Sequence, residues 1–186
     1  MTVIETDRLV IRDYRLDDIP VVHHLVQPVE IYQFQPWGPN TEKDTENFVK
    51  TAIVQQSDDP RNSYELSVTD KKTGEVIGAI GVRVRSEVTR SGDLGYWIRK
   101  DRWGEGFATE ATMGILRFGF ENLGLNRIWA TADPRNTGSL RVLEKAGMKK
   151  EGHLRQDIFV RGEFRDSILM AILKDEFSVE QDSRKD

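Results

Sequence analysis

The stretch RKDRWGEGFATEATMG, residues 99–114, decides the fold because it joins a strand to a helix through two glycines. The run before it, GDLGYWI at residues 92–98, has the composition of a β-strand. Downstream, Ala111, Ile115 and Phe118 recur at helical spacing. The first N–H groups of a helix have no intrahelical partner and attract anions, phosphate among them. The junction is therefore compatible with a phosphate-binding site or with a plain tight turn.

Two common nucleotide-binding motifs do not fit this junction. The P-loop requires the string GxxxxGK[ST], which the sequence lacks. The dinucleotide fingerprint could begin at Gly104 and Gly106, but its sixth position is Thr109. That fingerprint also belongs in a parallel βαβ unit, whereas the strands before these glycines are typical of an antiparallel meander. Both nucleotide interpretations are therefore disfavoured.

Composition narrows the class of protein. The 186 residues are 38% hydrophobic and 31% charged, as in a soluble single domain. A net charge of -4 argues against direct nucleic-acid binding. The lack of cysteine excludes disulfides, thiolate metal sites and a cysteine nucleophile, and it is compatible with a reducing cytoplasm. His23, His24 and His153 show no metal-ligand spacing, so no metal is expected. With no signal-peptide pattern and no long apolar run, we expect a cytoplasmic protein without a membrane partner.

Hydrophobic periodicity predicts one mixed α/β domain over residues 1–177 and a polar, frayed tail over residues 178–186. In the first half we expect a strand at residues 8–14 and two helices at 16–27 and 41–56, separated by a loop at 28–40. An antiparallel meander of three strands follows at residues 63–70, 75–85 and 92–99. In the second half we expect a helix at residues 108–124, a strand at 126–132 and a second helix at 139–147. A hairpin at residues 148–173 follows, with its turn near Arg161–Glu163.

Three segments carry a resemblance to a known family. They are DLGYWIRKDRWGEGFATEA (93–111), LGLNRIWATADPRNTGSLRVLEKAGMKKEGHLR (123–155) and RGEFRDSILMAI (161–172). Together they resemble the GNAT superfamily of acetyl-CoA-dependent N-acetyltransferases, and within it the ribosomal-protein N-terminal acetyltransferases. The likeness is dense from about residue 91 to 173, and the rest of the chain agrees in element order. It implies an α/β fold with a mostly antiparallel sheet split into a V, helices on both faces, and acetyl-CoA as cosubstrate.

The resemblance also implies which residues hold acetyl-CoA. Its pyrophosphate would lie on the backbone amides of Trp103, Gly104, Glu105, Gly106, Phe107, Ala108 and Thr109. Its pantetheine arm would run along Gly95, Tyr96, Trp97 and Ile98, with Asn136 bonding the arm's amides. The superfamily commonly has Gln or Arg where this chain has Trp103, so Arg99 and Arg102 are the candidates to offset phosphate charge.

Acetyl transfer to an amine needs a group that takes the ammonium proton and a group that protonates the departing thiolate. Asp93 is the base that the resemblance favours, with Glu151 and Asp166 as alternatives. Many superfamily members use a tyrosine as the thiolate's proton donor, but Leu143 stands at that position here. Ser139, in the pattern N-x-x-S, is the substitute donor that we expect.

The acceptor is less well defined by the sequence. An aromatic loop with Tyr32, Phe34 and Trp37, together with charged residues near the last turn, could line its site. A primary amine is expected, such as a protein N-terminus, and small amines like polyamines or aminoglycosides are the alternative. A non-catalytic acyl-CoA-binding sensor and a structural domain without CoA binding also stay open. Either a monomer or a homodimer is compatible with the sequence.

Overall fold

In the computed structural model, residues 1–177 are described, and one eight-stranded sheet organises them in the order β1-β2-β3-β4-β5-β6-β8-β7. The strands are β1 (Val3–Glu5), β2 (Leu9–Asp13), β3 (Ser63–Asp70), β4 (Val76–Ser86), β5 (Ser91–Ile98), β6 (Arg127–Ala132), β7 (Lys149–Val160) and β8 (Glu163–Leu173). The helices are α1 (Ile19–Val26), α2 (Val29–Tyr32), α3 (Glu42–Gln55), α4 (Phe107–Glu121) and α5 (Thr137–Lys145). The tail predicted over residues 178–186 lies outside the described residues.

The sheet is antiparallel except where β5 meets β6. That parallel ladder pairs Ser91, Gly92 and Asp93 with residues 127–129 and then stops. β6 continues in antiparallel pairing with β8, and β8 with β7. Beyond Asp93 the two central strands part, which leaves residues 94–98 of β5 without a neighbour on that side. The mixed, mostly antiparallel sheet with a V-shaped split is thus confirmed.

β5 contributes to both faces of the sheet because successive side chains of a strand alternate. Leu94 and Ile98 belong to the main core, which also contains Ile115 of α4 and Leu143 of α5. Trp97 points to the opposite face, where it packs against the smaller core beneath α1 and α3. The helices therefore cover both faces, as the resemblance implies.

Three local differences from the sequence-based expectation have physical reasons. β1 was missed because it is a three-residue edge strand held only by β2. The predicted loop 28–40 contains the four-residue helix α2, a length at which hydrophobic periodicity cannot be detected. The periodicity of residues 41–56 predicts Phe48, Ala52 and Gln55 on one face of a helix; Ala52 is buried, but Phe48 is 39% exposed and Val49 is buried in its place. The Phe48 ring packs only edge-on against Tyr14.

Gly119 allows α4 to approach the sheet closely. A β-carbon added to Gly119 would lie 2.6 Å from Cδ1 of Ile128, which is fully buried on β6. Glycine costs a helix about 1 kcal/mol relative to alanine, so close packing is the reason for it here.

We predict that Gly119→Ala destabilises the protein despite its better helix propensity, because overpacking of a core costs about 1–3 kcal/mol. Ile128→Val removes the clashing Cδ1 atom and alone costs about 0.5–1.5 kcal/mol. The double variant should be more stable than the sum of the two single effects, by at least about 0.5 kcal/mol. Chemical denaturation of the four proteins measures this coupling, and additive effects would contradict the close-packing explanation.

Candidate active site

A cavity of about 470 Å³ opens where β5 and β6 part. Four elements meet around it: the end of β5, the turn into α4, the start of α5 and the segment around α2. Ten of the predicted cofactor residues line it: Tyr96, Trp97, Ile98, Trp103, Gly104, Gly106, Phe107, Ala108, Thr109 and Asn136. The predicted donor Ser139 lines it as well, whereas Gly95, Glu105 and Asp93 do not.

The turn into α4 depends on backbone conformations that favour glycine. Gly104 and Gly106 have φ of +81° and +85°, in the left-handed region. A β-carbon at Gly104 would meet nothing within 4 Å, and one at Gly106 would meet only the Arg8 guanidinium, at 3.4 Å. These glycines are therefore required by the backbone, and the N-terminus of α4 faces the cavity without side chains in the way.

Arginines surround the first turn of α4. The guanidinium carbons of Arg8 and Arg102 lie 4.3 and 4.5 Å from the ring centroid of Phe107, a cation–π arrangement. Arg102 also pairs with Asp70 at 2.8 Å and with Glu105 at 3.2 Å. Arg8 in turn pairs with Glu110 at 2.6 Å, so carboxylates offset the charge of both arginines.

The other predicted phosphate partner, Arg99, does not line this cavity; it pairs with Asp101 at 2.6 Å. Sequence reasoning missed a better placed cation. Arg141 of α5 lines the cavity and forms no ion pair within residues 1–177. It shares one helix face with Gly138 and Lys145, which also line the cavity. The i, i+3, i+7 spacing of these three residues was the signal that could have identified this face.

Tyr96 and Ser139 connect the two sides of the split. The Tyr96 hydroxyl lies 3.0 Å from the Ser139 hydroxyl and donates to the Ser139 carbonyl at 3.2 Å. Burial raises the pKa of Tyr96 to about 12, while the hydrogen bond to Ser139 acts in the opposite direction. Asn136 caps α5 by accepting from the Ser139 N–H at 3.1 Å, so it has a structural role in addition to lining the cavity. The pair thus places a protonated phenol and a serine hydroxyl at the cavity wall.

The side chain of Trp103 folds back onto the end of β5. Its indole N–H donates to the Ile98 carbonyl at 2.6 Å, and the ring is 50% exposed. The backbone of Glu105 also has a partner, since its carbonyl accepts from Arg8 at 3.0 Å. Both residues stabilise the turn from β5 into α4.

Asp93 lies on the other face of β5 from Tyr96, at the last rung of the parallel ladder. Its side chain is 6% exposed, and each carboxylate oxygen accepts a hydrogen bond from an arginine, one from Arg83 and one from Arg85. These two bonds occupy part of the lone-pair capacity that a base needs. Asp93 as the base stays a prediction.

The two alternative bases have partners that favour their charged forms. Glu151 forms a bidentate pair with Arg127, whose hydrogen bonds lower the pKa of Glu151. The pKa of Asp166 is lowered by the backbone N–H of Gln156 and by His153. Neither carboxylate lines the cavity. Glu151 and Asp166 therefore brace the β7–β8 region and are poorly suited to take a proton.

Arg161, which the sequence placed near an acceptor, is bound within the chain. At the tip of the β7–β8 hairpin it donates to five main-chain carbonyls, those of Tyr32, Gln33, Gln35, Trp37 and Gly38. Arg165 donates to the Gln33 carbonyl at 2.6 Å. Of the three aromatic residues predicted for the acceptor site, Phe34 lines the cavity and Trp37 packs in the smaller core. The hairpin therefore fixes the segment at residues 32–38, which forms one wall of the cavity.

Within residues 1–177, no group of three or more His, Asp or Glu side chains is arranged to hold a metal ion. No helix in the described part of the chain is both long and apolar enough to cross a bilayer.

Comparison with known proteins agrees with this geometry. Residues 8–149 match the family model described as an acetyltransferase (GNAT) domain. An uncharacterized N-acetyltransferase, p20 of Bacillus licheniformis, is 29% identical over 179 residues, which cover 96% of this chain and 99% of that protein. A GNAT-family acetyltransferase structure from Bacillus anthracis is 29% identical with a TM-score of 0.82, covering 94% of this chain and 99% of the other.

Structures with lower identity share the fold. A spermidine N-acetyltransferase from Vibrio cholerae, solved with CoA and spermine, has 22% identity and a TM-score of 0.80 and covers 93% of this chain and 99% of its own. Ribosomal-protein acetyltransferases are also among the matched structures. The family model covers more than half of the sequence. The chain therefore belongs to the GNAT family of acetyltransferases.

Proposed function

We propose that this protein transfers the acetyl group of acetyl-CoA directly to a primary amine, with a protein N-terminus as the first acceptor to test. The observation that carries the proposal is the cavity at the split of the sheet. There an unpaired strand edge, a helix N-terminus without obstructing side chains, and a hydroxyl pair converge.

Each wall of the cavity suits one part of acetyl-CoA. The pyrophosphate would accept hydrogen bonds from N–H groups at the start of α4, favoured by the helix dipole. The pantetheine arm would pair with the free edge of β5 between Gly95 and Ile98, in the manner of an added strand. Arg141 on α5 would add a positive charge for a phosphate, a role that this chain's Trp103 cannot supply.

The chemistry would proceed without a covalent enzyme intermediate. The amine attacks the thioester carbonyl, and a β5 N–H holds the oxygen on which negative charge develops. Ser139 would protonate the departing thiolate, with Tyr96 behind it as the source of the proton. Because its pKa is raised to about 12, Tyr96 stays protonated at neutral and mildly basic pH.

Two acceptor classes have support. The motif resemblance to ribosomal-protein acetyltransferases favours an N-terminal amine. The spermine-bound neighbour with the same fold supports a polyamine as the second candidate. Both acceptors present a primary ammonium, and a net charge of -4 gives a weak attraction for either.

A calorimetric titration with acetyl-CoA tests the cofactor site first, followed by an amine panel of N-terminal peptides, spermidine and aminoglycosides. Binding of one acetyl-CoA per chain and acetylation of a panel amine would support the proposal. Binding without turnover on any amine would indicate a sensor instead. A failure to bind acetyl-CoA would contradict both functions.

Thr109 offers a matched pair of variants for the pyrophosphate position. It lies in the first turn of α4 and lines the cavity, and an acidic residue there is tolerated by the helix. We predict that Thr109→Asp weakens acetyl-CoA binding at least tenfold, about 1.4 kcal/mol, through repulsion of the phosphates. Thr109→Asn has the same shape without the charge and should remain within about threefold of wild type. Equal affinities for the two variants would contradict this placement.

Removal of either hydroxyl of the Tyr96–Ser139 pair should slow acetyl transfer. We predict that Ser139→Ala and Tyr96→Phe each lower kcat by about tenfold or more, since proton transfer by a positioned side chain contributes about 10²–10⁴-fold. The double variant should be little slower than the slower single one, because the two hydroxyls act as a unit. Acetyl-CoA affinity should change by only a few-fold. A wild-type kcat in Ser139→Ala would assign the proton to water.

Loss of the Arg161 guanidinium should loosen the wall that it fixes. We predict that Arg161→Ala speeds amide hydrogen exchange in residues 32–38 and raises KM for the amine by about threefold or more, since ordering that segment costs free energy on binding. Arg155→Ala, the same substitution in the same hairpin, should change neither quantity. Unchanged exchange in Arg161→Ala would show that the segment is held by other contacts.

A further inference from the structure

On the sheet face beneath α1 and α3, two glycines lie side by side on neighbouring strands. In the strand register Glu65 of β3 lies opposite Gly81 of β4, and Gly81 lies opposite Gly95 of β5. On β5, Asp93 and Trp97 flank Gly95 on the same face, because they are two residues away on either side. We call the row floored by Gly81 and Gly95 the glycine groove.

One end of the glycine groove is open. A β-carbon added to Gly95 would meet nothing within 4 Å, and the residue is exposed. Gly95 comes two residues after Asp93, the last residue at which β5 pairs with β6. The open end therefore lies at the split, where the proposed function places the reactive end of acetyl-CoA.

The other end is closed by the Glu65 side chain. A β-carbon on Gly81 would lie 2.5 Å from Oε2 of Glu65, so the carboxylate folds over Gly81 rather than staying above its own strand. Neighbouring strands are about 4.8 Å apart, which puts the carboxylate about 5 Å from the line of β5. An amine above Gly95 would be within reach of that carboxylate, directly or through one water.

Glu65 keeps its hydrogen-bonding capacity, in contrast to Asp93. Its carboxylate accepts no hydrogen bond from residues 1–177, and the nearest cation, Nε of Arg83, is 4.0 Å from Oε1. Burial raises the pKa of Glu65; Arg83 and Arg85 oppose that shift and Asp93 adds to it. The covering helices contribute apolar side chains to this face, Val22 from α1 and Val49 and Ala52 from α3 among them.

A second observation points to a ligand at the same place. The Tyr14 hydroxyl and the Ser67 hydroxyl are buried, in residues 2% and 0% exposed, and have no hydrogen-bond partner in the described structure. Ser67 follows Glu65 by two residues and shares its face. The pKa of Tyr14 is raised by burial and then by the charge of Glu65, so that hydroxyl lies within the field of the carboxylate. Unsatisfied buried hydroxyls are costly, and a polar group bound at Glu65 could bond them.

We propose that the glycine groove admits a primary amine on a slender, unbranched arm and that Glu65 binds its ammonium group and takes its proton. This inference rests on the proposed function and assigns to Glu65 the role that sequence resemblance gave to Asp93. Asp93 is then a positioning residue, which holds Arg83 and Arg85 beside the groove.

The proposed proton transfers balance over one turnover. The ammonium gives one proton to the Glu65 carboxylate and becomes a neutral amine. Glu65 releases that proton to solvent, and as the C–N bond forms and the C–S bond breaks it takes the second proton of the nitrogen. The thiolate gains its proton from Ser139, which Tyr96 and then solvent resupply. The net products are the acetylated amine, CoA with a free thiol, and one proton released to solvent.

The kinetic test compares Glu65→Gln with Glu87→Gln, the same substitution at an exposed position in the β4–β5 turn. With the amine found in the panel, Glu65→Gln should lower kcat about a hundredfold or more and abolish the acidic limb of its pH profile. Acetyl-CoA affinity should stay within about threefold of wild type in both variants. Full activity of Glu65→Gln with a normal pH profile would overturn the proposal.

Asp93→Asn distinguishes the two carboxylates. Because the Asp93 charge raises the pKa of Glu65, its removal should move the acidic limb to lower pH while leaving the limb in place. Should the limb vanish in Asp93→Asn and persist in Glu65→Gln, Asp93 would be the base and the proposal would be wrong.

A binding experiment separates this inference from the proposed function, since it needs no turnover. The Glu65 carboxyl carbon is followed by NMR as a function of pH in wild-type protein, with and without n-butylammonium as the probe. A bound cation should lower the pKa of Glu65, and Gly95→Val should abolish that response by filling the open end of the groove. An unresponsive Glu65 would overturn the proposal even if the protein acetylates other amines. A responsive one would support it even if acetyl-CoA failed to bind.

Discussion

The short parallel ladder between β5 and β6 is the constraint on which the rest of the structure depends. It spans three residue pairs, and everything assigned to the active site lies just beyond its end. A longer ladder would satisfy the backbone groups of β5 with those of β6 and would leave no cavity. Because it stops at Asp93, residues 94–98 of a central strand face the cavity without a neighbouring strand, and side chains of Gln35 and Trp103 donate to the carbonyls of Tyr96 and Ile98. Such an edge is suited to a ligand that carries amides of its own.

The split is held at a fixed width by contacts across it. The Tyr96 hydroxyl of β5 reaches Ser139 at the start of α5, and Asn136 caps the same helix turn. Just before it, the buried Asp133 carboxylate accepts from the backbone N–H and the guanidinium of Arg135, which fixes the turn out of β6. The groups proposed to act on the thiolate are therefore also the groups that brace the opening.

The sequence was informative where a motif or a hydrophobic periodicity reflects local backbone structure. The glycines at 104 and 106 and the N-x-x-S pattern each placed residues that the structure brings to one cavity, and the α4 periodicity placed Ala111 and Ile115 in the main core. Contacts between residues far apart in the chain have no such pattern in the sequence. Nothing in the sequence around Arg161 shows that its guanidinium donates hydrogen bonds to five carbonyls more than 120 residues away. Glu65 likewise occurs in an ordinary strand, and only the register with Gly81 and Gly95 shows where its carboxylate lies.

In the proposed mechanism the two proton transfers occur on opposite faces of β5, and burial acts on the acid at each face. On the α4–α5 face burial raises the pKa of Tyr96, which keeps a donor protonated beside Ser139. On the α1–α3 face burial raises the pKa of Glu65, which increases its affinity for the proton of an ammonium group. Desolvation disfavours the charged form of either acid, so it makes the carboxylate a stronger base and keeps the phenol protonated, although it also makes the phenol a weaker acid. In that mechanism a single strand would separate proton delivery from proton removal, and neither step would require a charged side chain to cross the sheet.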